Sequence, residues 1–215
     1  MNVVFDNLDT YLGGMRTTLV LSILSFVLAL AIGAVVATMR VSPLRLLRSI
    51  GAVYVEVFFS LPLLVWALLF FFGLPKVGFT YGRFASAVIV LGTFTGALVG
   101  EALRSGINTI PTGQGEAARA IGLRFEQVLG LVVLPQALRT MIGPLGSIFL
   151  ALVRNSAVAA IAMSVDDLMW RSDQLTTDTA RPVQVLIGTF VAYLLLTVPG
   201  TWVINAVARR YRFHR

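Results

Sequence analysis

From Thr17 to Met39 the chain carries no charged side chain. About 20 apolar residues are what an α-helix needs to cross a bilayer, and inside hydrocarbon the backbone N–H and C=O groups must pair within the segment. Such a run commits the chain to a membrane helix. Four further apolar stretches follow, at about 53–74, 84–103, 131–153 and 183–207. The sequence therefore predicts an all-α integral membrane protein with five transmembrane helices. Residues 1–215 read as one unit, without an internal repeat, a low-complexity tract or a second domain. Composition agrees: 13% of residues are charged, about half the share usual in soluble domains.

The formal charge of +7 raises nucleic acid as a partner, but its distribution argues against it. The basic residues fall between the apolar runs. Arg40, Arg45 and Arg48 follow the first span. Arg104, Arg119, Arg124 and Arg139 lie between the third and fourth, and Arg209, Arg210, Arg212 and Arg215 end the chain. With five crossings these clusters share one side. The opposite side holds Asp6, Asp9, Asp166, Asp167, Asp173 and Asp178, with Arg16, Lys76, Arg83, Arg154, Arg171 and Arg181. The excess of arginine marks the cytoplasmic face, so the N-terminus is expected outside and the C-terminus in the cytoplasm. A cleaved signal peptide is not expected, because Asp6 and Asp9 stand where a basic leader would be. Cysteine is absent and His214 is the one histidine. That composition excludes a thiolate or histidine metal site and argues against an intramembrane enzyme.

One polar stretch, about 111–135, interrupts this pattern on the cytoplasmic side. Pro111 suits the first turn of a helix, and Glu116 its positive end. Ala117, Ala118 and Ala120 are strong helix formers, and Gly122 permits the left-handed backbone that ends a helix. A second short helix is expected from Phe125 to about Val133. The spacing Glu116-Ala117-Ala118, Gly122, Val132, Leu134-Pro135 resembles the EAA loop of ABC importer permeases, with Val132 where the family usually has Ile. "GGMRTTLVLSILSFVLALAIGAVVATMRVSP", "EALRSGINTIPTGQGEAARAIGL" and "LVRNSAVAAIAMSVDDL" are similar to segments of the polar-amino-acid subfamily, whose substrates include histidine, glutamate, glutamine, arginine and cystine. The likeness covers roughly 10–210. One departure is Phe59-Ser60-Leu61-Pro62, where the subfamily typically has an Arg-Asn-Thr-Pro or Arg-Gly-Thr-Pro turn.

The resemblance implies the type I ABC importer permease fold, with the EAA loop as a cytoplasmic coupling helix docked on a separate ATPase. Glu116, Ala117, Ala118, Arg119 and Gly122 are then the ATPase-coupling positions. It also implies two ATPase subunits carrying ATP–Mg, a second permease, identical or homologous, an external solute-binding protein, and a bacterial plasma membrane location. This chain is expected to bind no cofactor. Lys76, its one lysine, sits in "GLPKVG" on the outer side, so no phosphate-binding loop of the G-x-x-x-x-G-K-[ST] type exists. The leaning is toward glutamate or glutamine.

Polar groups at membrane depth are the pathway candidates: Glu56, Ser60 and Pro62 in the second span, and Arg154, Asn155 and Ser156, which break the apolar run of the fourth. Glu101 and Arg104 are spaced to pair on one helix face. Gly143-Pro144 is expected to kink the fourth span. Gly92, Gly96 and Gly100 form a small face for helix packing, within the subunit or between two. The residues alone leave an ion-coupled secondary transporter or channel subunit open beside the importer.

Overall fold

The computed structural model describes residues 2–124 and 127–211. Phe125, the expected start of the second loop helix, lies outside them, as do Arg212, His214 and Arg215. All elements are helical, without a strand among the described residues. A short α1 (Asn2–Asp6) leads into α2 (Leu8–Val41). α3 (Arg45–Ser60) and α4 (Leu63–Leu68) follow, with α4 continued by a π-helical turn at Leu69–Gly73 and a 3₁₀ turn at Leu74–Val77. Then come α5 (Arg83–Asn108), α6 (Thr112–Ala120), a π-helical stretch Val128–Val133, α7 (Leu134–Met163), α8 (Leu168–Thr179) and α9 (Pro182–Tyr211). Four helices are long and apolar enough to cross a membrane, and the bent pair α3–α4 supplies a fifth span.

Small residues set the packing. A Cβ on Gly92 would fall 2.6 Å from Leu28, on Gly96 2.8 Å from Ile32, and on Gly100 2.9 Å from Val36. Gly33 answers from the other side, where a Cβ would lie 2.9 Å from the backbone nitrogen of Gly100. The glycine face of α5 is therefore an intrasubunit groove for α2, and the repeating register makes the two helices parallel. Between hydrocarbon-embedded helices there is little hydrophobic drive, so close backbone approach and dispersion carry the contact. Because α2 and α5 are parallel neighbours, the chain between them must return across the membrane. The α3–α4 pair is thus a crossing and not an excursion from one face. Gly106 meets Met141 near the start of α7, and Gly146 meets Ile204 of α9, so α7 runs opposite to both neighbours. The two chain ends lie at opposite ends of the bundle.

Several sequence expectations change here. The first span reaches back to Leu8, since Asp9 and Arg16 can continue the helix beyond the hydrocarbon. The second is not a straight helix at 53–74: its two halves meet at 104°. Pro62 has no N–H to donate and forces Leu61 into extended backbone (φ −95°, ψ 125°). The fourth span does not break at Arg154–Ser156, and α7 runs through Pro144 and on to Met163. Of the expected second loop helix, Phe125 and Glu126 lie outside the described residues; the remainder is helical, with the π-helical Val128–Val133 passing directly into α7.

Candidate functional site

The polar loop at the arginine-rich end folds by local bonding. Pro111 is extended (φ −58°, ψ 132°), so Thr112 is the first helical residue of α6. At the other end Gly122 takes φ +92°. Its N–H donates to the Arg119 carbonyl at 2.9 Å, and the Leu123 N–H to the Ala118 carbonyl at 3.2 Å. This pair of bonds is the glycine-dependent Schellman stop. The helix then restarts as the Arg124 N–H donates to Gln127 Oε1 at 2.9 Å. Two helical segments are thereby joined by a turn whose backbone groups are paired, which is a stiff lever.

α6 presents Glu116, Ala117, Arg119 and Gly122 to the outside, together with Ile121, which is 81% exposed. Ala118 differs. It is buried, because α6 rests on the Val128–Val133 stretch, so it anchors the helix and offers no face to a partner. Glu116 sits mid-helix and not in the first turn, so the dipole argument for it does not hold.

Behind this lever the arginine-rich ends of α2 and α5 are tied together. Glu101 accepts from Arg104 Nε at 3.0 and 3.1 Å and from its Nη2, and it lies 3.4 Å from Arg40. The expected Glu101–Arg104 pair is present, and Arg40 extends it to the neighbouring span.

The break in the second span is closed by aromatic rings. Phe58 packs against Tyr54, Trp66 and Phe94, with ring centroids at 4.8, 5.4 and 6.3 Å. Tyr54 donates to the Thr93 carbonyl at 2.6 Å and Trp66 Nε1 to Thr93 Oγ1 at 3.1 Å, so both arms hold the same residue of α5. Ser60 and Pro62 at the corner, and Glu56 one turn before it, are exposed.

Arg154, Asn155 and Ser156 point different ways. Arg154 is exposed, Asn155 is half-buried and Ser156 is fully buried. Phe149 packs on Phe26, and Ser156 shares the Asp167 carboxylate with Thr18, so Arg154 lies near the end of the span remote from α6. Tyr54, bonded to Thr93 midway along α5, puts Glu56 near the middle of the hydrocarbon layer. Glu56 thus faces outward where lipid would be costly and requires water or a partner protein opposite it, whereas Arg154 can reach the polar interface.

Ser156 faces the opposite way, into a buried polar centre that reading the sequence did not assemble. Asp167 caps α8 by accepting the Trp170 N–H at 2.9 Å. Its Oδ2 accepts from Ser156 Oγ at 3.2 Å and from Thr18 Oγ1 at 3.3 Å. Thr18 Oγ1 also accepts the Leu168 N–H at 3.2 Å. Burial pushes the Asp167 carboxyl up to about 6, although these donors oppose the shift. The available signal was Asp167 standing immediately before the apolar Leu168-Met169-Trp170, a common helix-start pattern.

The family described as binding-protein-dependent transport system inner membrane component matches residues 12–213. A probable glutamine ABC transporter permease protein of Bacillus subtilis is 34% identical, with 98% of this chain and 97% of that protein covered. A glutamate/aspartate import permease protein of Escherichia coli is 31% identical over 94% and 89% of the two chains. Among solved structures, an amino acid ABC transporter superposes with a TM-score of 0.90 at 27% identity, over 96% of each chain. A methionine ABC transporter, at 21% identity and a TM-score of 0.73, shares the fold.

Proposed function

The chain belongs to the family of inner membrane components of binding-protein-dependent transport systems, and on that premise we propose that it carries glutamine or glutamate from an external binding protein into the cytoplasm by alternating access. The family works together with ATPase and binding-protein components. In the proposed assembly, two ATPases hold ATP–Mg and two permease subunits, identical or homologous, enclose the path. The protein lies in a bacterial plasma membrane with its C-terminus in the cytoplasm. An ion-coupled transporter or channel is not favoured by these relatives.

The observation that carries the reading is α6: a short, capped helix fixed on its own chain through Ala118 and presenting Glu116, Ala117 and Arg119 at the arginine-rich end. A rigid helix passes displacement to the spans where a coil would absorb it. The exposed Glu56 supports a path between two subunits, since that position supplies the water or protein cover it requires. Arg154 suits a carboxylate-bearing solute.

The test is uptake of labelled glutamine and glutamate by the complex reconstituted with its ATPase and binding protein. Arg154→Ala should lower uptake at least about tenfold while the ATPase still copurifies. Gly122→Pro, which removes the N–H that closes α6, should weaken ATPase copurification itself. Unchanged uptake in Arg154→Ala defeats the pathway assignment, and unchanged copurification in Gly122→Pro defeats the coupling assignment.

A further inference from the structure

At the end of the bundle remote from α6 lies a cavity of about 310 Å³ lined by Gly13, Arg16, Thr17, Val20, Phe84 and Arg171. It touches none of the pathway or coupling residues. Its roof is basic. Arg171 is held in place by Asp166, with Nε to Oδ1 at 2.9 Å and Nη2 to Oδ2 at 2.6 Å. Its guanidinium lies flush on the backbone of Gly13, where a Cβ would overlap Nη1. Arg16 is exposed and has no ion-pair or hydrogen-bond partner among the described residues. The floor is apolar, made by Val20 and Phe84.

Depth identifies the occupant. Arg40, clustered with Glu101 and Arg104, marks the hydrocarbon boundary at the other end of α2. About 30 Å of hydrocarbon at about 1.5 Å per residue corresponds to about 20 residues. Counting back from Arg40 places the opposite boundary near Val20. The Leu28–Gly92, Ile32–Gly96 and Val36–Gly100 register sets Phe84 level with Val20. Arg16 and Thr17 then stand one turn beyond, at the level of lipid phosphates. Below Arg16 on the same helix ridge, Val20, Leu24 and Val27 are 43%, 46% and 61% exposed. One ridge therefore offers a free guanidinium at phosphate depth and an uncovered aliphatic track beneath it.

We infer that this cavity is a binding site for an anionic phospholipid, its phosphate held between Arg16 and Arg171 and one acyl chain lying along Val20, Leu24 and Val27. The unpaired Arg16 guanidinium can bind phosphate by paired charge-assisted hydrogen bonds, to which Arg171, its Nε and Nη2 already on Asp166, adds its remaining N–H groups. The spans alone set this depth, so the site does not rest on the proposed substrate; which leaflet it faces rests on the N-terminus being outside.

The full chain, copurified with its ATPase and placed in nanodiscs of phosphatidylcholine with a minority of phosphatidylglycerol, is released into native mass spectrometry. Wild type should retain phosphatidylglycerol several-fold above its share of the bilayer. Arg16→Glu should lose that preference and Arg16→Lys should keep it. Both variants should match wild type in thermal midpoint, since Arg16 is exposed. Equal retention in Arg16→Glu overturns the inference. So does displacement of the lipid by millimolar inorganic phosphate, which would make the site one for a free anion. A third overturning result is unchanged lipid retention with weakened capture of the solute-binding protein, which would assign the arginines to protein docking.

Discussion

Asp167 shows how a single buried carboxylate can dominate the response of such a protein to pH. Its carboxyl titrates at about 6 in the folded chain against 3.8 ordinarily. The folded state thus holds the proton more tightly than the unfolded one, and the stability this contributes is full below pH 4. It is lost as pH rises through about 6 and changes no further above that. A difference of roughly two units amounts to about 3 kcal/mol. The thermal midpoint of wild type should accordingly fall by several degrees between pH 4 and 6.5. Asp167→Asn, which keeps an acceptor for the Trp170 N–H and turns an NH2 donor toward the Thr18 and Ser156 hydroxyls, should flatten that part of the profile. A parallel decline in the variant would assign the effect to other carboxylates. Asp167→Ala is different in kind, because it leaves buried donors unpaired, each costing about 1–3 kcal/mol, and should lower stability across the whole range.

At the scale of elements, the α2–α5 pair is where sequence and structure meet most directly. Gly33 and the Gly92, Gly96, Gly100 series admit neighbouring atoms so closely that any side chain must separate two whole helices. Gly33→Val should therefore abolish recovery of folded protein, since its Cβ would press on the Gly100 backbone as well as on Val99. Gly73→Ala is the contrast: nothing lies within 4 Å of its Cβ position and φ is −83°. That variant should match wild type or exceed it by up to about 1 kcal/mol, through lost freedom in the unfolded chain. Thermal midpoints in detergent check both, and a tolerant Gly33 would refute the groove. The glycine spacing, the Glu101–Arg104 pair and the Gly122 turn were legible in the sequence, because each is a pattern within one local stretch, although the helix that fills the glycine face, α2, was not. The 104° corner needed Pro62 to be weighed above the hydropathy of its flanks. The role of Ser156 could not be read at all, because its partner Asp167 acts from another helix and both depend on Thr18, far away in sequence. Arg154 and Ser156 looked like one polar break, yet two positions along a helix turn side chains to different faces.

For the molecule as a whole, the decisive quantity is its surface. A compact soluble chain of 23.3 kDa exposes about 9,700 Å², whereas this one exposes 12,634 Å². The excess belongs to a thin bundle with both flanks open, one toward lipid and one, through Glu56, toward water or another subunit. In the proposed assembly such a bundle functions only in a fixed orientation, since α6 would have to meet an ATPase where ATP is found. The parallel arrangement of α2, α5 and α9 places Asp9 and Arg209 at opposite ends. The side on which each lies follows from arginine bias, and it is open to direct test because the chain contains no cysteine. Asp9→Cys should react with a membrane-impermeant maleimide applied outside cells or right-side-out vesicles. Arg209→Cys should react only after the membrane is opened. Labelling in the reverse order would turn the molecule over, bring α6 to the outer face and remove the mechanical basis for driving it with ATP. Labelling of both from outside would contradict the odd number of crossings, and with it the reading of the bent α3–α4 pair as a single span.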